Sequence, residues 1–364
     1  MAISPKLREF SLFLFFILLT FVSQALGASE PGPPPQCESK RAGGCHDKTK
    51  SLKLKLIAIA SILVTSMIGI CLPLFSRAVP ALRPDRNLFV LVKAFASGVI
   101  LATGYMHVMP DSWDCLTSDC LPENPWRKFP FTTFVAMLSA VLTLMVDSFA
   151  MSMYKKHCAE KSVVEPSKRV VDENVEMQNI GHCHANGDDE DTESQLRRFR
   201  VVAQVLELGI VVHSVVIGLS MGASDNPCTI RPLVAALCFH QLFEGMGLGG
   251  CILQAKALFK CFNAEYGAKM KAVMVFFFSA TTPLGIALGI GLSNIYSENS
   301  PTALIVVGIL NASSAGLLNY MALVDLLASD FMGSKLQGSM KLQIWAYVAV
   351  LLGAGGMSLM AKWA

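Results

Sequence analysis

The feature that most constrains this chain is the repetition of long apolar runs. Beyond residue 50 they recur at about 54–76, 87–109, 131–154, 200–223, 233–255, 270–293, 302–327 and 342–361. A helix of about 20 residues crosses the hydrocarbon core of a bilayer, so each run is long enough to span. Backbone amides find no partners in lipid, and the runs are continuously apolar instead of alternating, which leaves the helix as the structure that satisfies them. The expected fold is therefore all-α and integral to the membrane, a bundle of eight transmembrane helices with the lipid bilayer as its partner. Composition agrees, because 53% of the 364 residues are hydrophobic and only 16% are charged, too apolar for a soluble enzyme of this length. The net charge is a mere +3, and the basic residues sit in short loops without interleaved aromatics, which argues against nucleic-acid binding.

The first residues have a different layout. Lys6 and Arg8 precede FSLFLFFILLTFVSQ, and small residues follow at Ala25 and Gly27, the pattern of a secretory signal peptide over 1–27 that is removed on export. Residues 28–51 are rich in Pro, Gly and charge and are expected to form a flexible exterior tail. Transmembrane helices 1–3 then fall within 52–154, a polar cytosolic loop within 155–199, and helices 4–8 within 200–364. Eight spans from an exterior start return the C-terminus to the exterior. The cytosolic loops of this arrangement hold Arg77, Arg83, Arg86, the basic residues from Lys155 to Arg200, Lys256, Lys260, Lys269, Lys271, Lys335 and Lys341, whereas the exterior loops hold Arg127, Lys128, Arg231 and Lys362. That is the positive-inside pattern, with the basic tail from Lys40 to Lys55 running against it. Cys37 with Cys45, and Cys115 with Cys120, are spaced for short-loop disulfides in an oxidising exterior. Gly218/Gly222, Gly245/Gly249 and Gly285/Gly289 have the spacing that lets helices approach closely in lipid, and Pro283 is expected to kink the sixth span or free carbonyls in it.

Ionisable groups at the centre of a span are costly unless they have partners or work to do. His213 lies mid-way along the fourth run, and His240 and Glu244 along the fifth. Positions four apart share a helix face, so His240 and Glu244 present nitrogen and oxygen to one point. His213 at similar depth would complete a set of two imidazoles and a carboxylate, suited to zinc or iron(II), and to manganese, better than to calcium or magnesium. Ser214 and Gln241 are candidate auxiliary ligands. His107 and Asp111, again four apart, with Asp114 beyond, form an acidic mouth at the exterior end of the second span that would gather cations. Asp147, near the cytosolic end of the third span, is a candidate exit residue. His182, Cys183 and His184 make a soft-ligand cluster in the cytosolic loop.

Two pattern matches carry no weight. Gly218-Leu-Ser220-Met-Gly222 fits a nucleophile elbow, but that device needs a strand–turn–helix context. Asn311-Ala-Ser313 fits a glycosylation sequon inside a span, out of reach of the modifying machinery.

In its motifs the chain resembles the ZIP family of zinc-regulated and iron-regulated transporter-like proteins, in its plant branch. The resemblance rests on HSVVIGLSMG at 213–222, HQLFEGMGLGG at 240–250, FASG at 95–98, MHVMPDS at 106–112, ENPWRKFPF at 123–131 and SAGLLNYMALVDLLA at 314–328. It implies eight spans with both termini exterior, a His-containing loop between the third and fourth spans, and movement of divalent metal toward the cytosol through a site on His213, His240 and Glu244. Bacterial relatives hold a second metal with a carboxylate one turn after the fourth-span histidine. Ile217 stands there in this chain, so one transport site is predicted. The expected function is then transport of zinc, iron(II) and also manganese or cadmium, not catalysis, with no cofactor beyond the transported ion. The expected location is the plasma membrane, and the sequence leaves a homodimer open. A metal-sensing receptor would use the same residues without net flux, and an intramembrane hydrolase would need Ser220.

Overall fold

The structure, a computed structural model, describes residues 47–74, 86–164, 210–259, 268–292 and 300–362. Among these residues there is no strand, and the long elements are α1 Lys48–Leu74, α2 Asn87–Leu116, α3 Phe131–Val164, α4 Ile210–Ala223, α5 Pro227–Phe259, α6 Ala268–Leu292, α7 Pro301–Phe331 and α8 Met340–Ala361. The helices α1, α2, α3, α6, α7 and α8 each contain a stretch long and apolar enough to cross a membrane. α4 is apolar but shorter as described, and the expected start of its span at 200–209 lies outside the described residues. α5 runs for 33 residues. The signal peptide of 1–27, the tail up to residue 46 and residues 165–199 of the loop also lie outside them.

The helix starts follow from capping chemistry. The first amides of a helix have no intrahelical acceptor, and an Asp, Asn or Ser side chain just before them supplies one. Asp47 Oδ1 accepts from Lys50 N at 3.0 Å ahead of α1, and Asn226 Oδ1 accepts from Cys228 N at 3.0 Å ahead of α5. Ser300 Oγ accepts from Ala303 N at 3.2 Å ahead of α7, and Ser339 Oγ from Leu342 N at 3.4 Å ahead of α8. These caps place two boundaries away from the apolar pattern. α1 starts at Lys48, inside the expected tail, and α5 starts at Pro227, ahead of the apolar run. α3 also outlasts its apolar stretch, continuing through residues 155–164 that were expected to be loop. Their sequence, KKHCAEKSVV, is polar but rich in residues that favour a helix once one is nucleated.

α1 packs along α5 and α6, α2 along α8 and α5, and α3 along α7, whose first half also lies against the end of α2. The seams are set by small residues. A Cβ on Gly218 would lie 2.8 Å from the Thr282 carbonyl oxygen, and one on Gly285 would lie 3.1 Å from that of Val215, so α4 and α6 meet backbone to backbone. Large apolar side chains, among them Leu56, Ile57 and Val64 on α1 and Trp345, Leu351 and Leu352 on α8, are exposed, a surface suited to hydrocarbon and not to water. Two stretches depart from α geometry. Gly104–Val108 in α2 and Met321–Ala328 in α7 are π-helical, a widened turn that recurs at functional positions.

Cys115 and Cys120, expected to pair, are not joined to each other. Cys120 is instead buried against Leu121 and Leu304.

Candidate metal centre

The short turn between α4 and α5 makes the two helices neighbours, and at 1.5 Å per residue it places His213 roughly 15 Å and His240 roughly 20 Å from that turn. The turn itself is tied to α1, where the buried Lys55 donates from Nζ to Asp225 Oδ1 at 3.4 Å. His213, His240 and Glu244 therefore arrive at one depth, each fully enclosed, with one ligand atom apiece lying within 4.8 Å of the others. The His213 and His240 rings are 5.5 Å apart between centroids. Both nitrogens of each ring and both carboxylate oxygens of Glu244 lack a hydrogen-bond partner of acceptable geometry. Each such atom costs roughly 1–3 kcal/mol when left unsatisfied, so the cluster is arranged for something other than its own stability. Ser214 and Gln241 are buried beside it, and the Ser214 hydroxyl and the Gln241 amide nitrogen are likewise without partners.

α2 brings a third imidazole. His107 is 4% exposed, and its ring centroid is 6.1 Å from that of His240. It lies in the π-helical turn, where a Cβ on Gly104 would collide with the Asn319 side chain of α7. His107 Nδ1 is 3.9 Å from Asp111 Oδ2, and the Asp111 side chain is 50% exposed. Asp114 is exposed. A polar series thus runs from solvent through Asp111 and His107 to His240. His107 sits at its inner end, deeper than the mouth to which the sequence assigned it.

On the other side of Glu244 the surroundings are apolar. Ile70 of α1, Ile100 of α2, Leu248 of α5, Phe278 of α6 and Leu326 of α7 belong to one buried cluster. This collar closes about one turn further along α5. Asp147 accepts a hydrogen bond at 3.2 Å from the Tyr320 hydroxyl of α7, so the structure ties it to the α3–α7 seam and does not gather it with the three central ligands. Ile217 packs in a separate apolar cluster with Ile62, Leu237 and Ile286, which leaves its position without metal-binding chemistry. His182, Cys183 and His184 lie outside the described residues.

Sequence reasoning passed over three charged residues. Asp325, 1% exposed, occupies the π-helical run of α7, while Lys93, 3% exposed, lies on α2 and donates from Nζ to Asp330 Oδ1 of α7 at 2.8 Å. The available signal was the same one that exposed His240, an ionisable residue within an apolar run.

Two imidazoles and a carboxylate without other partners, in a buried site reached by an acid and a third imidazole, suit a borderline divalent cation. The fold and this cluster define a multi-pass membrane protein that handles such ions. Residues 52–361 match the family model of the ZIP zinc transporter, and the chain belongs to that family. It is 60% identical over 357 residues to Fe(2+) transport protein 1 of Oryza sativa subsp. japonica, covering 93% of this chain and 92% of that one. It is 56% identical to Fe(2+) transport protein 1 and 55% identical to zinc transporter 7, both of Arabidopsis thaliana, with 96% of each chain covered in both cases.

Proposed function

We propose that this protein carries zinc and iron(II), and with them manganese or cadmium, across the plasma membrane into the cytosol, with His213, His240 and Glu244 as the transport site. The observation that carries the proposal is that cluster of buried, mutually close and otherwise unpartnered ligand atoms, and the chain's similarity to iron and zinc transporters supports the choice of cargo. Ser214 and Gln241 orient the ligands or hold a water on the ion. Asp111 and Asp114 collect the hydrated cation, and His107 takes it from Asp111 and passes it to His240. Asp147, through Tyr320, and the cluster His182, Cys183 and His184 receive it on the far side after an alternating-access step.

Eight spans place both termini outside. The positive-inside distribution supports this orientation, as does Cys228, disulfide-bonded in the first turn of α5, since disulfides persist in oxidising compartments. A negative-inside potential contributes about 4.6 kcal/mol per 100 mV for a doubly charged ion at ~2.3 per charge, so inward flux needs no nucleotide.

The test is uptake of labelled zinc and iron(II) into sealed proteoliposomes holding the purified protein. Net accumulation that rises with a negative-inside potential is expected. Binding without accumulation would make the protein a sensor, and accumulation indifferent to competing iron, manganese and cadmium would make the site zinc-specific. The mouth gives a second expectation. Asp111→Asn removes a half-exposed carboxylate that attracts cations but leaves the three central ligands in place. KM for zinc uptake should rise roughly threefold to tenfold at low ionic strength, with little change in kcat, and the difference should shrink in 0.5 M salt because exposed charges are screened.

A further inference from the structure

The buried Lys93 of α2 is paired with Asp330 of α7. α2 runs antiparallel to the metal-bearing α5 and packs against it, with His107 near one end of α2 and Lys93 near the other, roughly 20 Å apart at 1.5 Å per residue. Lys93 shares the wall of a small cavity with Val92 and Phe89 of α2, Leu72 and Pro73 of α1 and Met246 of α5. The cavity therefore lies between α1, α2 and α5, reaching from the level of the apolar collar at Met246 toward the end of α2 away from Asp111. Its one ionised lining residue is a cation, and Asp330 on α7 neutralises it at 2.8 Å.

We infer that this cavity belongs to the exit path and that Lys93 is a release residue there: its ammonium occupies the Asp330 carboxylate so that the departing divalent ion cannot settle on it. The inference rests on the transport direction proposed above. An acid at the inner end of the path, left without a cation, would hold a divalent ion strongly in a poorly hydrated seam, because attraction between charges grows as the effective dielectric falls. It would also let cytosolic metal bind and stall the carrier. A covalently tethered ammonium gives the carboxylate a cation that cannot leave. The acid still anchors α2 to α7, and the net charge met by the ion is near zero.

The readout is inhibition of zinc uptake by zinc loaded inside the proteoliposomes. In Lys93→Met the internal concentration giving half-inhibition should fall about tenfold, with maximal uptake reduced and protein per vesicle unchanged. Lys93→Arg should match the parent. Asp330→Asn should move the constant the other way, upward, since the cation then faces the path unneutralised. In the double variant Lys93→Met/Asp330→Asn it should return to within about threefold of the parent. A purely structural ion pair predicts instead that both single variants lose stability and activity together and that the constant does not move, which would overturn the inference. If the parent protein accumulates no zinc, the transport proposal fails. If it accumulates zinc and the constant is the same in all four variants, only the role of Lys93 fails.

Discussion

Replacing Glu244 with Gln should abolish zinc and iron(II) uptake while leaving the empty protein as stable as the parent or more so. The two halves of this expectation separate a transport ligand from a structural residue. The Glu244 carboxylate is fully buried with neither oxygen hydrogen-bonded, and a buried charge without compensation destabilises a fold. Glutamine keeps the size and removes the ionisable group. A metal ion at the proposed site, on the other hand, would lose one of the three groups placed to hold it. Removing even an outer-sphere partner weakens metal binding by about 10–100-fold, so uptake per molecule should fall at least a hundredfold. Thermal unfolding in detergent supplies the second readout. Zinc at one hundred times its dissociation constant stabilises the form that binds it by about 2.7 kcal/mol. The parent should melt several degrees higher with zinc than without, whereas Glu244→Gln should melt at one temperature in both. His240→Ala should behave alike for uptake. A Glu244→Gln protein that reaches the membrane and carries zinc at the parental rate would show that the cluster is not the transport site.

What the sequence made legible was whatever depends on one helix at a time. The apolar runs locate the helices because length and continuity alone decide whether a segment can sit in lipid. Asn226, Ser300 and Ser339 carry a helix-start signal in local chemistry that the apolar pattern passed over, whereas the spacing of His240 and Glu244 fixes a shared face without knowledge of any neighbour. The glycine pairs were legible as places of close approach, but not as a list of which helix meets which. Features that depend on helix pairing stayed hidden. Nothing in the apolar pattern marks the widened turn at Gly104–Val108, so His107 read as a residue of the mouth although its ring lies 6.1 Å from that of His240. Lys93 and Asp330 are separated by nearly two-thirds of the chain and meet only because α2 and α7 pack together. The end of α3 was misjudged for another reason. Polarity marks where a helix leaves the bilayer, not where it stops, and the two differ when the emerging residues still favour a helix.

The second large effect is expected at Gly245, which directly follows Glu244 and faces α1. A Cβ there would lie 2.8 Å from the Ile70 amide nitrogen and 3.0 Å from the Gly69 carbonyl carbon. These are backbone atoms, so no side-chain rotation makes room, and α1 and α5 must separate. One turn on, a Cβ on Gly249 would lie 2.6 Å from the Ile70 carbonyl oxygen, so the helices cannot tilt about this point to relieve the contact. Overpacking of this kind costs about 1–3 kcal/mol, tolerable for a bundle this size. The larger consequence is positional, because metal–ligand distances hold to about 0.2 Å and a shift of a few tenths of an ångström at residue 245 carries Glu244 with it. Gly245→Ala should therefore reduce zinc uptake per molecule by about tenfold or more, and should shrink the zinc-dependent rise in melting temperature in the same proportion. Gly355→Ala on α8 is the matched control, since a Cβ there meets nothing within 4 Å. Alanine at that position should transport as the parent does and melt at the same temperature or slightly higher, because it loses less conformational freedom on folding than glycine. If Gly245→Ala were as active as Gly355→Ala, the α1–α5 seam would be looser than its backbone contacts imply, and the position of Glu244 would have to be maintained by the other helices packed on α5, α2 and α8 among them.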